Sequence, residues 1–432
     1  MPSLTFDSMQ LFSTLVPEDF RVVVTKPLRR FYLCTTLSCV GFGLTLSLFV
    51  VYLHDVRHFS IAFASLLLAV TAFVGLASGP LLGTLVDRVG PVAVIAVEFF
   101  IEAGALVLWA FARHTPQVVC AALLLAVFGG GGWGPGTTLL SRLVPEQHRQ
   151  RAFGINFMLV NLGIGFGGLI SATIVDLHHP FTFSVLYVTN AVVCAAIAGL
   201  YLTLRPYGGT IREHREDPAT RDEGWREVLK DRRLVYFVLA SLVLLIGGYG
   251  SQEAGFSLYV VNELHLSVHV IGVIFFFNTS TIVATQLFIL NRIQGRSRTR
   301  VMACAGLLWF FFWLVLALSI HLPAVVAVLS LCVAMAVFAV GETMLSPIGP
   351  ALVNELAPEH LRGRYNAASG MTWGVASALA PALTAFFFSE HWGDYWPIFI
   401  GATTLCGSWL MLRLRHRLSP REDGTVAAPP AP

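Results

Sequence analysis

"GTLVDRVGP", residues 83–91, is a short charged turn set between two long apolar runs. From Ser60 to Val86 the chain carries no charged residue, and from Val92 to Phe111 it carries only Glu98 and Glu102. A helix that crosses a membrane needs about 20 mostly apolar residues, so the turn reads as the junction of two such helices. Gly83 lets two helices approach closely, and Asp87 lies near the N-terminus of the second helix of the junction, where negative charge is favoured.

The whole chain repeats this pattern. Of its 432 residues, 56% are hydrophobic and 12% charged, whereas an ordinary soluble domain carries roughly 25% charged residues. Twelve apolar stretches begin near Phe31, Ser60, Val92, Gln117, Phe153, Phe181, Leu234, Val270, Thr299, Ala324, Asn366 and Tyr395. The expected fold is all-α and integral to the membrane, with twelve transmembrane helices. A polar linker at 205–233 separates a first group (31–204) from a second (234–416), with flanking segments at 1–30 and 417–432.

Charge sets the orientation. With both termini on one side, that side receives all but two, Arg57 and Arg113, of the 28 Lys and Arg residues. Basic residues in short loops mark the cytoplasmic face, so a multi-pass protein of the cell membrane with cytoplasmic termini is expected. The opening MPSLTFDSMQLFSTLVPEDF lacks the basic-then-apolar order of a cleaved signal peptide and is expected to be retained. Cys34, Cys39, Cys120, Cys194, Cys304, Cys332 and Cys406 show neither a disulfide framework nor zinc spacing, and read as small packing residues. No metal, cofactor or nucleic-acid partner is expected. The chain has no GxxxxGK[ST] sequence, which argues against ATP-driven coupling within it.

The chain also repeats itself. Gly41-Phe42-Gly43 with Phe49 and Tyr52 returns as Gly248-Tyr249-Gly250 with Phe256 and Tyr259, 207 residues on. Asp87-Arg88-Val89 matches Asn291-Arg292-Ile293 at 204, and Pro145, Glu146, Arg149 and Arg151 match Pro358, Glu359, Arg362 and Arg364 at 213. Six helices per repeat, an even number, make the halves parallel. This predicts two pseudo-symmetric six-helix bundles.

Gly83, Asp87, Arg88 and Gly90 resemble the G-x-x-x-D-R-x-G signature loop of the major facilitator superfamily, although Val92 stands near the place of its usual basic residue. The resemblance implies a substrate site near the midplane between parallel halves, with these four residues as a conformational gating loop. Asp87 would contact the ends of neighbouring helices in one conformation and release them in the other. "GETMLSPIGPALVNELAPEHLRGRY" (341–365) is similar to span 10 and the following loop of the twelve-helix drug:proton antiporter branch, through Glu342, Pro347, Pro358, Arg362, Gly363, Arg364 and Tyr365. A span-5 signature of that branch keeps Gly154, Gly163 and Gly167 but has Gly168 in place of its proline. Glycines in this register favour close helix packing. The branch also has an arginine in span 4, whereas Val118 to Leu140 holds no Lys or Arg.

Four glutamates, Glu98, Glu102, Glu253 and Glu342, lie in spans with no cationic partner evident in the sequence. A carboxylate in low dielectric favours its neutral form. It can exchange a proton as access alternates, or bind a cationic substrate once deprotonated, and competition between the two at one site is the simplest basis for antiport. The resemblance places spans 1, 4, 7 and 10 around the cavity, which puts Glu342 first and then Glu253, with Tyr249 and Phe256 on the same helix as aromatic candidates. Glu98 and Glu102, on the peripheral third span, are expected to be neutral, hydrogen-bonded acids that support packing. The expected protein is a monomeric secondary transporter that exports small amphipathic compounds in exchange for protons. Proton-coupled uptake of a metabolite is the alternative within the class. A membrane enzyme is disfavoured because the chain has no H-E-x-x-H motif or nucleophile elbow, and a channel by the two-fold repeat and the lack of charged pore rings.

Overall fold

The computed structural model describes residues 18–45, 52–128, 133–175, 179–208 and 224–426. Among these the chain is helical, with no strand. The first half comprises α1 (Glu18–Val23), α2 (Lys26–Thr45), α3 (Ile61–Val89), α4 (Pro91–Phe111), α5 (Thr115–Phe128), α6 (Trp133–Leu143), α7 (Arg149–Ile174) and α8 (Phe181–Leu202). After the linker come α9 (Trp225–Lys230), α10 (Arg232–Leu245), α11 (Ser251–Asn262), α12 (Val268–Ile293), α13 (Arg298–Leu318), α14 (Ala324–Leu345), α15 (Ile348–Leu356), α16 (Arg362–Ser389) and α17 (Trp396–Leu414).

Ten helical segments of the described residues are long and apolar enough to cross a membrane. The expected spans outside that set are α2, whose first turns carry Lys26, Arg29 and Arg30, and α5, which has 14 residues. Residues 46–51 and 129–132, which adjoin them, lie outside the described residues. The span expected near Phe31 starts earlier, at Lys26, because its basic first turns read as loop when only apolar runs are counted.

Helix ends follow ordinary capping chemistry. Ser60 Oγ accepts the Phe63 N–H at 3.2 Å at the start of α3. Gly90, at φ 88°, turns the chain from α3 into α4, which Pro91 opens. Asp231 caps α10: its carboxylate accepts the Arg233 N–H at 2.9 Å and the Tyr365 hydroxyl at 3.0 Å. Burial alone would push this carboxyl up, but its Arg233 and Tyr365 partners outweigh that and hold it below the usual carboxylate range. The stabilisation from Asp231 is therefore complete at neutral pH and is lost only as pH falls through the lowered value.

The sequence repeat becomes a repeat of packing. In the first half α2 packs on α7 and α8, α4 on α5 and α8, and α3 on α5; in the second half α10 packs on α16 and α17, α13 on α14 and α17, and α12 on α14. Between the halves α3 meets α16 and α7 meets α12. The second half has one large core around Trp309, Phe312, Trp313, Phe338 and Trp396, while the first splits into clusters around Phe31 and Tyr201 and around Tyr52, Trp109 and Tyr187. Phe73, Leu81, Val192, Phe276 and Leu329 are exposed on helix surfaces, as a lipid-facing exterior requires. The cysteines are free; Cys34, Cys194 and Cys332 are buried, but Cys120, Cys304 and Cys406 are exposed and do not pack as expected.

The span-5 glycines divide by what they face. A Cβ on Gly167 would lie 2.1 Å from the Val40 carbonyl oxygen, and one on Gly163 would lie 2.8 Å from that of Thr36, so both let α7 lie against α2. Gly154 faces Leu290 of α12, and a Cβ on Gly168 would have no neighbour within 4 Å. Backbone atoms cannot retreat as a side chain can. Gly167→Ala is expected to destabilise the protein by about 1–3 kcal/mol, the range for overpacking, while Gly168→Ala leaves the melting temperature unchanged. A thermal-shift comparison of the two variants checks this.

Candidate transport site

The site is built around a break in the seventh expected span. Between α10 and α11, Ile246–Gly250 forms a π-helical turn in which Gly248 has φ −96° and ψ −106°. Such turns widen a helix and release carbonyls from its ladder. Trp313 Nε1 donates to the Gly247 carbonyl at 2.6 Å, and Ser251 Oγ to that of Ile246 at 2.7 Å. A Cβ on Gly248 would stand 2.1 Å from the Trp309 ring, so the glycine allows the indole to close on the break. Trp309 in turn donates to the Phe338 carbonyl at 3.1 Å.

Tyr249, in that turn, is ringed by aromatics: Trp373 at 4.9 Å, Trp309 at 5.3 Å and Phe338 at 6.3 Å between ring centres. Its hydroxyl is buried without a hydrogen-bond partner. Glu342, on α14 one turn after Phe338, is buried, and its Oε2 accepts from Asn278 Nδ2 of α12 at 3.2 Å. Glu253, on α11, is exposed. Both carboxylates are within electrostatic reach of the Tyr249 hydroxyl and of each other. The break thus sets Tyr249 and Glu253, one turn apart in sequence, near Glu342 of α14, which no local spacing joins to them.

Phe256 lies elsewhere. It is fully buried between Phe275 (5.9 Å) and Phe312 (5.6 Å), as part of the core of the second half. Asn278, Trp309 and Trp373 were not singled out in the sequence. Asn278 had a usable signal, an amide inside the apolar run FFFNTST, whereas nothing local distinguishes Trp309 or Trp373 from packing residues.

Glu98 and Glu102 do not join this group. Glu98 is buried on α4 and neither carboxylate oxygen has a hydrogen-bond partner, which corrects the expectation of a hydrogen-bonded acid there. Next to it, the Phe99 ring stacks on Tyr201 of α8 at 5.8 Å. The Asn190 amide is already engaged, donating to the Gly41 carbonyl at 3.2 Å and accepting from Cys194 Sγ at 3.7 Å. Glu102 is half-buried beside Cys194.

The loop expected to gate, residues 83–90, sits where the halves meet, at the end that carries the termini. The Asp87 side chain is buried and accepts the backbone N–H groups of Gly363 (2.6 Å) and Arg364 (3.2 Å) and the Arg364 guanidinium (3.2 Å), at the N-terminus of α16. Gly83 and Gly363 make the approach possible: a Cβ on Gly83 would be 2.9 Å from the Gly363 carbonyl oxygen, and one on Gly363 would be 2.6 Å from Asp87 Oδ1. Arg88 is exposed. The pseudo-symmetric place holds an amide version of the same contact, in which Arg151 donates to Asn291 Oδ1 at 3.0 Å and also to Gln294. Asn366 donates to Thr138 at 3.0 Å and Trp225 to Thr84 at 2.9 Å, closing the same end.

Among the described residues no group of His, Cys, Asp and Glu could hold a metal ion. The model of the Major Facilitator Superfamily matches residues 31–259 and 241–432. A Na(+), Li(+), K(+)/H(+) antiporter of Planococcus maritimus is 22% identical over 415 residues, covering 87% of this chain and 92% of that protein. Among solved structures, a bacterial homologue of the iron transporter ferroportin in an outward-facing state superposes with TM-score 0.71 at 13% identity, covering 91% of this chain and 100% of that one. The human organic anion transporter MFSD10 gives 0.66 at 14% identity, covering 92% and 100%. The family match spans both halves, and the helix pairing within each half agrees with it: the chain belongs to the major facilitator superfamily of membrane transporters.

Proposed function

We propose that the chain is a proton-coupled antiporter that exports small, amphipathic, cationic compounds across the cell membrane. Twelve spans, with α2 and α5–α6 completing the ten, and cytoplasmic termini complete the reading. The closed, termini-bearing end then faces the cytoplasm, and the described conformation is outward-facing.

The observation that carries this reading is Glu342. It is a buried carboxylate with one amide donor, within electrostatic reach of Tyr249 in the helix break, whose aromatic group offers stacking surface to a flat or cationic ligand. An intramembrane acid without a cation beside it is by default functional. A proton and a cation are alternative ways of neutralising it, so each displaces the other. The exchange of alkali cations for protons named for the Planococcus maritimus relative supports antiport with a cation.

Everted membrane vesicles test the reading with a panel of cationic dyes. Accumulation is expected when the vesicle interior is acid, and it should collapse when an uncoupler removes the gradient. Accumulation that persists after uncoupling excludes proton antiport.

A further inference from the structure

Beyond α17 the chain turns back over the helix ends. Asp423 is buried, and its carboxylate accepts from Ser297 Oγ at 2.6 Å, the Thr299 N–H at 3.0 Å and Thr299 Oγ1 at 2.9 Å. This places its charge on the N-terminus of α13, where a carboxylate is favoured. Its carbonyl accepts the Arg298 N–H at 2.8 Å. Next to it, Glu422 pairs with Arg233 at 2.5 Å, and the Glu422 carbonyl accepts Arg298 Nη1 at 2.8 Å. These two residues fasten the segment to α10 and α13, both in the second half.

Arg421 reaches the other way. Its guanidinium meets Glu146, in the turn before α7 of the first half, with Nη2 at 2.5 Å and Nε at 3.1 Å. The same Nε lies 3.1 Å from Glu355, at the end of α15 in the second half. Two carboxylates from opposite halves therefore share this guanidinium, with Arg149 and Arg298 also within electrostatic reach of both.

We propose that Arg421 is a positioning residue of the transport cycle. The anchored tail carries it across the junction, where it holds the termini-bearing end shut, and its bond to Glu146 must break each time that end opens. This goes beyond the proton-antiport reading and depends neither on Glu342 nor on the identity of the substrate.

The magnitude is modest by design. An exposed ion pair contributes little to overall stability, and Arg421 is half exposed. Two conformations of nearly equal free energy respond to small differences, however, and losing the arginine also leaves Glu146 and Glu355 facing each other.

The test is a distance distribution by pulsed electron paramagnetic resonance. Spin labels go on the exposed positions Tyr207, in the turn just after α8 of the first half, and Arg296, just before α13 of the second, in a cysteine-free background. Arg421→Ala is expected to raise the long-distance, open population about threefold to tenfold, with the melting temperature unchanged. Arg421→Lys should restore part of the closed population, since an ammonium keeps the charge but not the fork. Glu146→Gln should shift the same way, and combining it with Arg421→Ala should add little, because both remove one contact. Identical distributions for wild type and Arg421→Ala, or full additivity with Glu146→Gln, would overturn the proposal. If Arg421→Ala fails to fold, Glu146→Gln alone decides: an unchanged distribution refutes it.

Discussion

Glu342→Gln is expected to abolish gradient-driven transport while leaving the protein folded. Glutamine has the same shape and keeps an acceptor oxygen for Asn278 Nδ2, which donates to Glu342 Oε2 at 3.2 Å. The packing around it, with Trp309 against Phe338 and Tyr249 against Trp373, is untouched by the change. A buried neutral amide with a partner is also easier to hold in a low-dielectric interior than a carboxylate. What the variant lacks is a group that can release a proton and then offer a charge to a cation. Dye accumulation in everted vesicles should fall to the level of empty membranes with an acid interior, and melting should stay the same or rise. A variant that still accumulates dye in response to the gradient would make Glu342 a packing residue. Glu390→Gln, at an exposed position outside the site, is the comparison that separates loss of coupling from general loss of negative charge.

Asp87→Asn is expected to loosen the end of the molecule that carries the termini. Asp87 is buried and takes three hydrogen bonds from the start of α16, one of them from the Arg364 guanidinium. An amide keeps one acceptor oxygen, loses the charge that complements both Arg364 and the helix N-terminus, and leaves a largely buried arginine short of a partner. Hydrogen bonds to charged groups contribute about 1.5–3 kcal/mol each, so the closed conformation should lose on the order of 10- to 100-fold in population. Cysteine accessibility near the junction should rise accordingly, transport turnover should fall, and ligand affinity in the open conformation should remain. Normal turnover with unchanged accessibility would remove Asp87 from the cycle. The pseudo-symmetric contact predicts the opposite change elsewhere in the molecule. Asn291 already accepts from Arg151, so Asn291→Asp should strengthen closure and partly offset Asp87→Asn.

Apolar run length and the three matched offsets, which depend only on composition and order, were enough to read an all-helical membrane fold from the chain. The offsets predicted two equivalent halves, and the matching helix pairs α2 with α7 and α10 with α16 both pack together. Boundaries were harder where a helix begins with charge, as at Lys26. The glycines of span 5 looked equivalent in sequence but differ in what they face, because a helix turns about 100° per residue and Gly168 points away from the surface that Gly167 presents to Val40. The acids show the same limit. Glu98 and Glu102 stand out as a pair on one strip of helix, yet the groups beside them, Tyr201 and Cys194, come from α8, which no local pattern reports. Tyr249 and Phe256, seven residues apart, suggested a shared face, but only Tyr249 lies by the acids while Phe256 fills the core. In the sequence the tail is only a polar flanking segment. Its role in joining Glu146 to Glu355 rests on contacts more than 60 residues apart in sequence.

The account makes Glu342 the place where proton and substrate exclude each other, and proton release on binding measures that directly. The purified protein, weakly buffered and held with a pH-sensitive dye, is given a cationic compound that wild-type vesicles accumulate. Wild type should release protons in proportion to the compound bound, and Glu342→Gln should release none. Equal release from both proteins, or binding to wild type without release, would contradict the account.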